Sequence, residues 1–113
     1  MDFDRALIIK EHWLNEMFYN GKVWEMRTQK TNIRGKIGLI QSGTGMIIGE
    51  ANLFNCSKEP IEKIQEYIKY HRIVDLNLLD KWKYAWHLKE IRKFKKPIPY
   101  NHPKGAVIWV KID

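Results

Sequence analysis

The sequence predicts an α+β fold, a small β-barrel of about five to six strands with two to three flanking helices. Three observations carry this. Trp82, Tyr84, Trp86 and Leu88 alternate with Lys83, Ala85, His87 and Lys89, the period-2 pattern of a long half-buried strand. Two extended apolar runs flank Gly43-Thr44-Gly45, as in a β-hairpin. The strand-like runs do not alternate regularly with helical ones, which argues against a parallel βαβ sheet.

Taken in order, Leu7 to Tyr19 places Ile9, Trp13 and Met17 four residues apart, with Leu14 and Phe18 beside them. This spacing predicts an amphipathic helix stopped by Asn20-Gly21, with Trp13 in the core. Lys36 to Ser42 reads as a strand and Met46 to Asn55 as its partner. Gly43-Thr44-Gly45 is no dinucleotide fingerprint, because Gly49 falls at the wrong spacing and the turn joins strands instead of opening a helix. Ser57 and Pro60 mark a second helix start, with Ile61, Ile64 and Ile68 at core spacing through about Tyr70. Asp75 is a candidate cap for a short turn from Leu76 to Asp80. The alternation that begins at Trp82 breaks at Glu90-Ile91, where a bulge is expected, and Pro97 and Pro99 end that strand or place it on an edge. Gly105 to Ile112 reads as a last, deeply buried strand. Repeats, low-complexity tracts and linkers are absent from the sequence, so residues 1–113 form one domain with one core.

The composition, 44% hydrophobic and 29% charged, is that of a globular domain. A single cysteine, Cys56, permits no internal disulfide and fits a reducing compartment. The first five residues lack a signal-peptide pattern, and no apolar run approaches a membrane span, so the expected location is the cytoplasm. His12, His71, His87 and His102 lack paired ligand spacing, so no metal and no cofactor is expected.

The net charge of +7 is clustered. Lys81 to Lys104 contains eight Lys/Arg against Glu90 alone, and Lys22 to Lys36 contains five against Glu25. Trp24, Trp82, Tyr84, Trp86, Phe94 and Tyr100 are interleaved with these cations, a mixture suited to holding phosphates and stacking bases. Within the first basic run, Lys22, Glu25 and Arg27 place three ionisable groups of mixed sign in one short segment around Trp24. Two cations can hold a phosphate or polarise a carbonyl, and a carboxylate can orient a lysine or move a proton. The plainer alternative is a solvated ion-pair cluster.

In order along the chain, Lys22-x-x-Glu25-x-Arg27, the Lys36–Ser42 strand with its Gly43 turn, Tyr84-Ala85-Trp86-His87-Leu88, and Pro97-Ile98-Pro99-Tyr100 resemble an ASCH domain, a member of the PUA-like superfamily of small barrels. The family places a glycine two residues before the lysine, a position held here by Asn20. The resemblance implies a cleft in the barrel wall, lined by the Lys, Glu and Arg, that takes RNA or a nucleoside. Some members of the family resemble hydrolases of N4-acetylcytidine or ribonucleases. Where the amidohydrolase subgroup has threonine, this chain has Glu25.

Three functions follow as expectations. As a binding module, Lys22 and Arg27 contact phosphate or a base carbonyl and Glu25 accepts a base amino group. Trp86, Trp24 or Tyr100 stacks a splayed base, Ser42 adds a hydrogen bond, and Lys93, Lys95 and Lys96 hold the flanking backbone. As a hydrolase, Lys22 is base or nucleophile, Glu25 the general acid/base and Arg27 the oxyanion stabiliser. As a protein-interaction adaptor, the domain presents an exposed apolar patch. The sequence does not choose an oligomeric state.

Overall fold

The computed structural model describes residues 2–112, with the side chains of residues 61, 62, 65 and 76 outside the description. The core position expected for the Ile61 side chain therefore lies outside the described residues. Six strands form one sheet: β1 (Arg5–Ile9), β2 (Trp24–Arg27), β3 (Gly35–Gln41), β4 (Met46–Lys58), β5 (Tyr84–Pro99) and β6 (Trp109–Lys111). Their order is β2-β5-β4-β3-β1-β6; β1 runs parallel to β3 and every other pairing is antiparallel. Register shifts recur along the β4–β5 ladder, between Ile47 and Gly49, Glu50 and Asn52, and Leu53 and Asn55. Each such bulge bends the strand and adds twist, and the sheet curls into a half-barrel.

Helix α1 (Glu11–Tyr19) covers the concave face with buried Leu14 and Met17, which join Leu7, Ile9, Leu39, Leu53, Trp86 and Leu88 in the main core. Phe18 closes onto Gly49, where an added Cβ would lie 2.8 Å from its ring and 2.6 Å from the Arg92 carbonyl oxygen. Only glycine fits there, because the Phe18 ring and the Arg92 carbonyl of the neighbouring strand occupy the space a side chain would need.

The expected helix from Leu7 to Tyr19 is corrected at its start. Residues 5–9 are strand β1, and the helix begins at Glu11. Leu7 and Ile9 lie in the main core while Ala6 packs with Phe3, Ile40, Ile47 and Val110 on the other side. A strand buried on both faces shows no alternation, so its apolar residues merged with the helical pattern that follows. The helix stop at Asn20-Gly21 stands: Gly21 has φ +78°, and the Asn20 and Lys22 amides both donate to the Glu16 carbonyl.

Strand β2 had no counterpart in the sequence reading. The second helix is broken into α2 (Ile61–Ile64), a 3₁₀ turn (Gln65–Tyr67) and α3 (Ile68–His71). The 3₁₀ turn from Leu76 to Asp80 is capped as expected, with the Asn77 amide donating to Asp75 Oδ1 at 3.1 Å. Strand β5 starts at Tyr84, so Trp82 stands just before it, and it bends at Glu90, whose φ is +53°. It then continues through both prolines, because β2 pairs only with Tyr84 to His87 and leaves that edge of the later segment without a strand partner. The deeply buried strand expected over Gly105–Ile112 is also corrected: only Trp109–Lys111 pairs, and Val107 is 75% exposed.

Candidate functional site

The turn after α1 delivers Lys22 into the protein interior, and β2 then carries Glu25 and Arg27. Two residues apart on a strand, those side chains leave the same face. Val23 ties the turn to its neighbours, its amide donating to the Tyr70 carbonyl and its carbonyl accepting from the Leu88 amide, both at 2.8 Å. Strand β2 pairs with β5 so that Glu25 stands opposite Trp86 and Arg27 opposite Tyr84.

The three groups form one network. Lys22 is 0% exposed; its Nζ donates to the carbonyls of Trp24 (2.7 Å) and His71 (2.8 Å) and lies 3.5 Å from Glu25 Oε1. Glu25, 4% exposed, uses its other oxygen, Oε2, to accept from Arg27 Nε (3.1 Å) and Nη2 (2.8 Å). Arg27 Nη2 also donates to the Ile8 carbonyl at 3.0 Å. One carboxylate thus bridges two cations, and backbone carbonyls take up most of what remains. Desolvation pushes the Lys22 pKa below the usual lysine value, and the Arg27 charge adds to this; Glu25 pulls it back up.

His71 stands behind this network. It is buried, its Nδ1 accepts from the Ile73 amide (2.9 Å), and its Nε2 lies 2.8 Å from the Ile64 carbonyl. An imidazole that accepts at Nδ1 and donates at Nε2 is neutral. Burial and the nearby Lys22 charge lower its pKa, and the bond to Ile64 opposes them. The ring thereby fixes the short α3 end whose carbonyl receives Lys22.

The network opens into a cleft of about 230 Å³. Trp13, Met26, Ile73 and Trp82 form its apolar wall, and Lys10, Ser42 and Val107 also line it. Lys22 Nζ lies 4.9 Å from the Trp13 ring centroid, and Trp13 meets Trp82 edge-on at 6.0 Å.

Of the residues singled out in the sequence, Lys22, Glu25, Arg27 and Ser42 meet at this cleft. The expected stacking platforms lie elsewhere. Trp86 is 4% exposed, with Trp109 stacked 5.8 Å away and the Arg27 guanidinium 5.4 Å from its ring, and its indole N–H donates to the Gln29 carbonyl. Trp24 packs among Tyr67, Tyr70 and His87. Tyr100 packs on the second core cluster and bonds His102. Lys93, Lys95 and Lys96 line a separate hollow with Asp2, Glu50 and Arg92, which shares no lining residue with the cleft.

The aromatic side chains at the cleft, Trp13 and Trp82, were read from the sequence as core and strand. Trp13 does sit on the apolar face of α1, but that face borders the cleft, and helical spacing does not distinguish the two. The structure also assembles Ser57, Glu59 and His87, which no spacing pattern had suggested. The Ser57 hydroxyl donates to Glu59 Oε1 at 2.6 Å and lies 2.7 Å from His87 Nε2. With its one proton given to Glu59, the serine accepts from His87, the reverse of the direction an activated nucleophile requires. Among the described residues no group of His, Cys, Asp and Glu could hold a metal ion, and no described helix is long and apolar enough to cross a membrane.

A curled half-barrel sheet with a helix packed on it and a charged cleft beside that helix defines a small α+β domain of the PUA-like kind. The family model of the ASCH domain matches residues 7–98, and the chain belongs to the ASCH domain family. That membership places it, in general terms, among RNA-binding or hydrolase-type domains. Its fold is similar to the crystal structure of ASCH from Zymomonas mobilis, with a TM-score of 0.71 at 12% identity over 96% of this chain and 87% of that one. Serine-to-alanine and tyrosine-to-phenylalanine mutants of the same Zymomonas mobilis protein superpose equally well, with TM-scores of 0.70 and 0.71. At 12% identity this likeness concerns the fold alone. No curated protein matches the chain.

Proposed function

We propose that the cleft binds a base of RNA or a modified nucleoside, with Lys22, Glu25 and Arg27 as its polar wall and Trp13 and Trp82 as its apolar one. The observation that carries the reading is the buried Lys22–Glu25–Arg27 network opening into a cleft flanked by two indoles. Burying such a network is costly unless its geometry is satisfied, and a lysine whose pKa is perturbed by desolvation and by specific charge partners inside a cleft is a candidate functional group. At about 230 Å³ the cleft is smaller than the roughly 300–1,000 Å³ of drug-sized pockets, so it suits one small ring system. Arg27 offers a donor to a ligand oxygen, and Glu25 an acceptor for an amino group.

Hydrolysis at the same site is the second reading, and the placement of a buried lysine, a carboxylate and a guanidinium in one cleft favours it, because these groups can move a proton and stabilise an oxyanion together. The two readings separate in one experiment. An NMR titration with a nucleoside panel that includes N4-acetylcytidine, and with short single-stranded RNAs, follows both the protein and the appearance of product. Shifts centred on Lys22 to Arg27 and Trp82 without product establish a binding domain. Cytidine and acetate formed from N4-acetylcytidine, and lost in Lys22→Met, establish a hydrolase. Absence of any shift overturns both.

A further inference from the structure

Beside the cleft lies a second hollow of about 320 Å³, lined by Thr28, Gln29, Lys30, Ile108 and Trp109 among others. Arg27 and Trp82 line both. The two spaces are therefore adjacent, with these two side chains as shared lining.

Three features make the second hollow suited to a ligand of the same chemistry as the first. Its polar lining consists of Arg27, Thr28, Gln29, Lys30 and Thr31, with no acidic residue among the described residues, so their charge complements an anion. Its shape is set in advance. Trp86 is pinned by its bond to the Gln29 carbonyl and by the stack on Trp109; the loop after β2 is tied by the Ile33 amide to Thr31 Oγ1 (3.1 Å) and by Arg34 Nη1 to the Thr31 carbonyl (2.9 Å). Half-buried Trp82 and Trp109 and exposed Ile108 supply an apolar surface where an exposed loop would ordinarily be polar.

Arg27 links the two. Glu25 and the Ile8 carbonyl engage its Nε and Nη2, while Nη1 has no hydrogen-bond partner among the described residues. A planar guanidinium fixed along one edge presents the other in a set direction, which suits a phosphate oxygen.

Building on the reading of the cleft as a base site, we propose that the ligand is a single-stranded nucleic-acid segment of at least two nucleotides. One base enters the Lys22–Glu25 cleft, the next nucleotide occupies the Lys30–Trp109 hollow, and the phosphate between them lies against Arg27 Nη1. Thr28 and Gln29 line the second hollow where a base edge or sugar would come within reach.

Calorimetric titration of the intact protein with the four ribonucleosides, N4-acetylcytidine and the corresponding dinucleoside monophosphates tests this. The dinucleoside monophosphate is expected to bind more tightly than its nucleoside by roughly fivefold or more, the lower end of what stacking one further base contributes. That ratio is expected to shrink as salt is raised and to fall to unity in Lys30→Glu or Ile108→Asp. Nucleoside binding with a ratio of unity in the native protein overturns the second subsite and leaves the cleft reading standing. A ratio above unity that neither salt nor these substitutions alter also overturns it, because the extra nucleotide then lies elsewhere. Binding of neither class of ligand overturns both.

Discussion

Lys22 and Lys93 are the same side chain in two electrical surroundings. Lys22 has no exposed surface, two carbonyl acceptors within 2.8 Å and a carboxylate beyond them. Lys93 stands on the exposed later segment of β5, its Nζ bonded to the Tyr19 hydroxyl and lying 5.1 Å from that ring, with Lys95 and Lys96 nearby. The Lys22 ammonium has acceptors fixed in place by its own strand segment and by the end of α3. Around Lys93 the solvent does that work. A buried cation is held by its partners at a fixed position, and removing a partner leaves a charge that water cannot reach. An exposed cation is mobile, screened and replaceable. The first kind suits recognition of one chemical group; the second suits attraction of a polyanion.

The largest expected effect comes from breaking the buried side. Glu25→Ala removes the carboxylate that bridges Lys22 and Arg27 and leaves two cations facing each other at low dielectric. The expected loss is about 3–5 kcal/mol, read from urea denaturation. Lys22→Met leaves Glu25 paired with Arg27 but takes the donor from the Trp24 and His71 carbonyls, and is expected to cost about 1–3 kcal/mol while abolishing ligand binding. A loss below about 1 kcal/mol for Glu25→Ala would mean that the cluster behaves as a hydrated surface pair, and the contrast with Lys93 would disappear.

His71 sharpens the comparison through pH. His71→Ala leaves the Ile73 amide and the Ile64 carbonyl without their partner and is expected to cost about 1–3 kcal/mol. The neutral ring has a folded pKa below its ordinary 6.5, so below that value the unfolded chain binds more protons than the folded one. Its contribution is therefore complete above pH 6.5 and is lost as pH falls through the depressed folded value. His71→Asn keeps an acceptor for the Ile73 amide without a titrating group. The native protein should lose stability relative to this variant on acidification, and parallel pH profiles would refute the role given to His71. Loss of ligand affinity over the same interval, while the protein remains folded, would connect His71 to Lys22 and not only to stability.

What the sequence made legible follows the same division. Lys22, Glu25 and Arg27 could be found because three ionisable groups fall within six residues, a local signal that survives without coordinates. Their partners could not. The His71 carbonyl, Ile73 and Trp82 reach the cleft from segments remote in sequence, and only the pairing of β2 with β5 and the docking of α3 bring them there. The hairpin of β3 and β4 was legible because it is a local pairing across a glycine turn. Strand β1 was hidden because both its faces are buried, and Val107 and Ile108 were taken for core because apolar residues that line a cleft have the composition of a strand. Trp86 shows the limit of the same signal: strand alternation gives the face of a residue but not which face is the interior, and Trp86 is 4% exposed while lining the second hollow.

The smallest effect on stability tests the exposed side. Replacing Lys93, Lys95 and Lys96 together by alanine removes no buried partner, and each change is expected to stay within about 0.5 kcal/mol in urea denaturation. If these lysines meet a nucleic-acid backbone outside the cleft, binding of a long single strand should weaken at low salt. The slope of log affinity against log salt should then fall by about two, near 0.7 per lost phosphate contact. Binding of a dinucleoside monophosphate should not change, because the hollow they line shares no residue with either subsite. An unchanged slope would confine the nucleic-acid contact to the two subsites and leave the β5 lysines as a solubilising surface. A loss of dinucleotide binding would mean instead that the exposed and buried cations act on one ligand at close range, through a path around the half-barrel that the separation of the hollows does not provide.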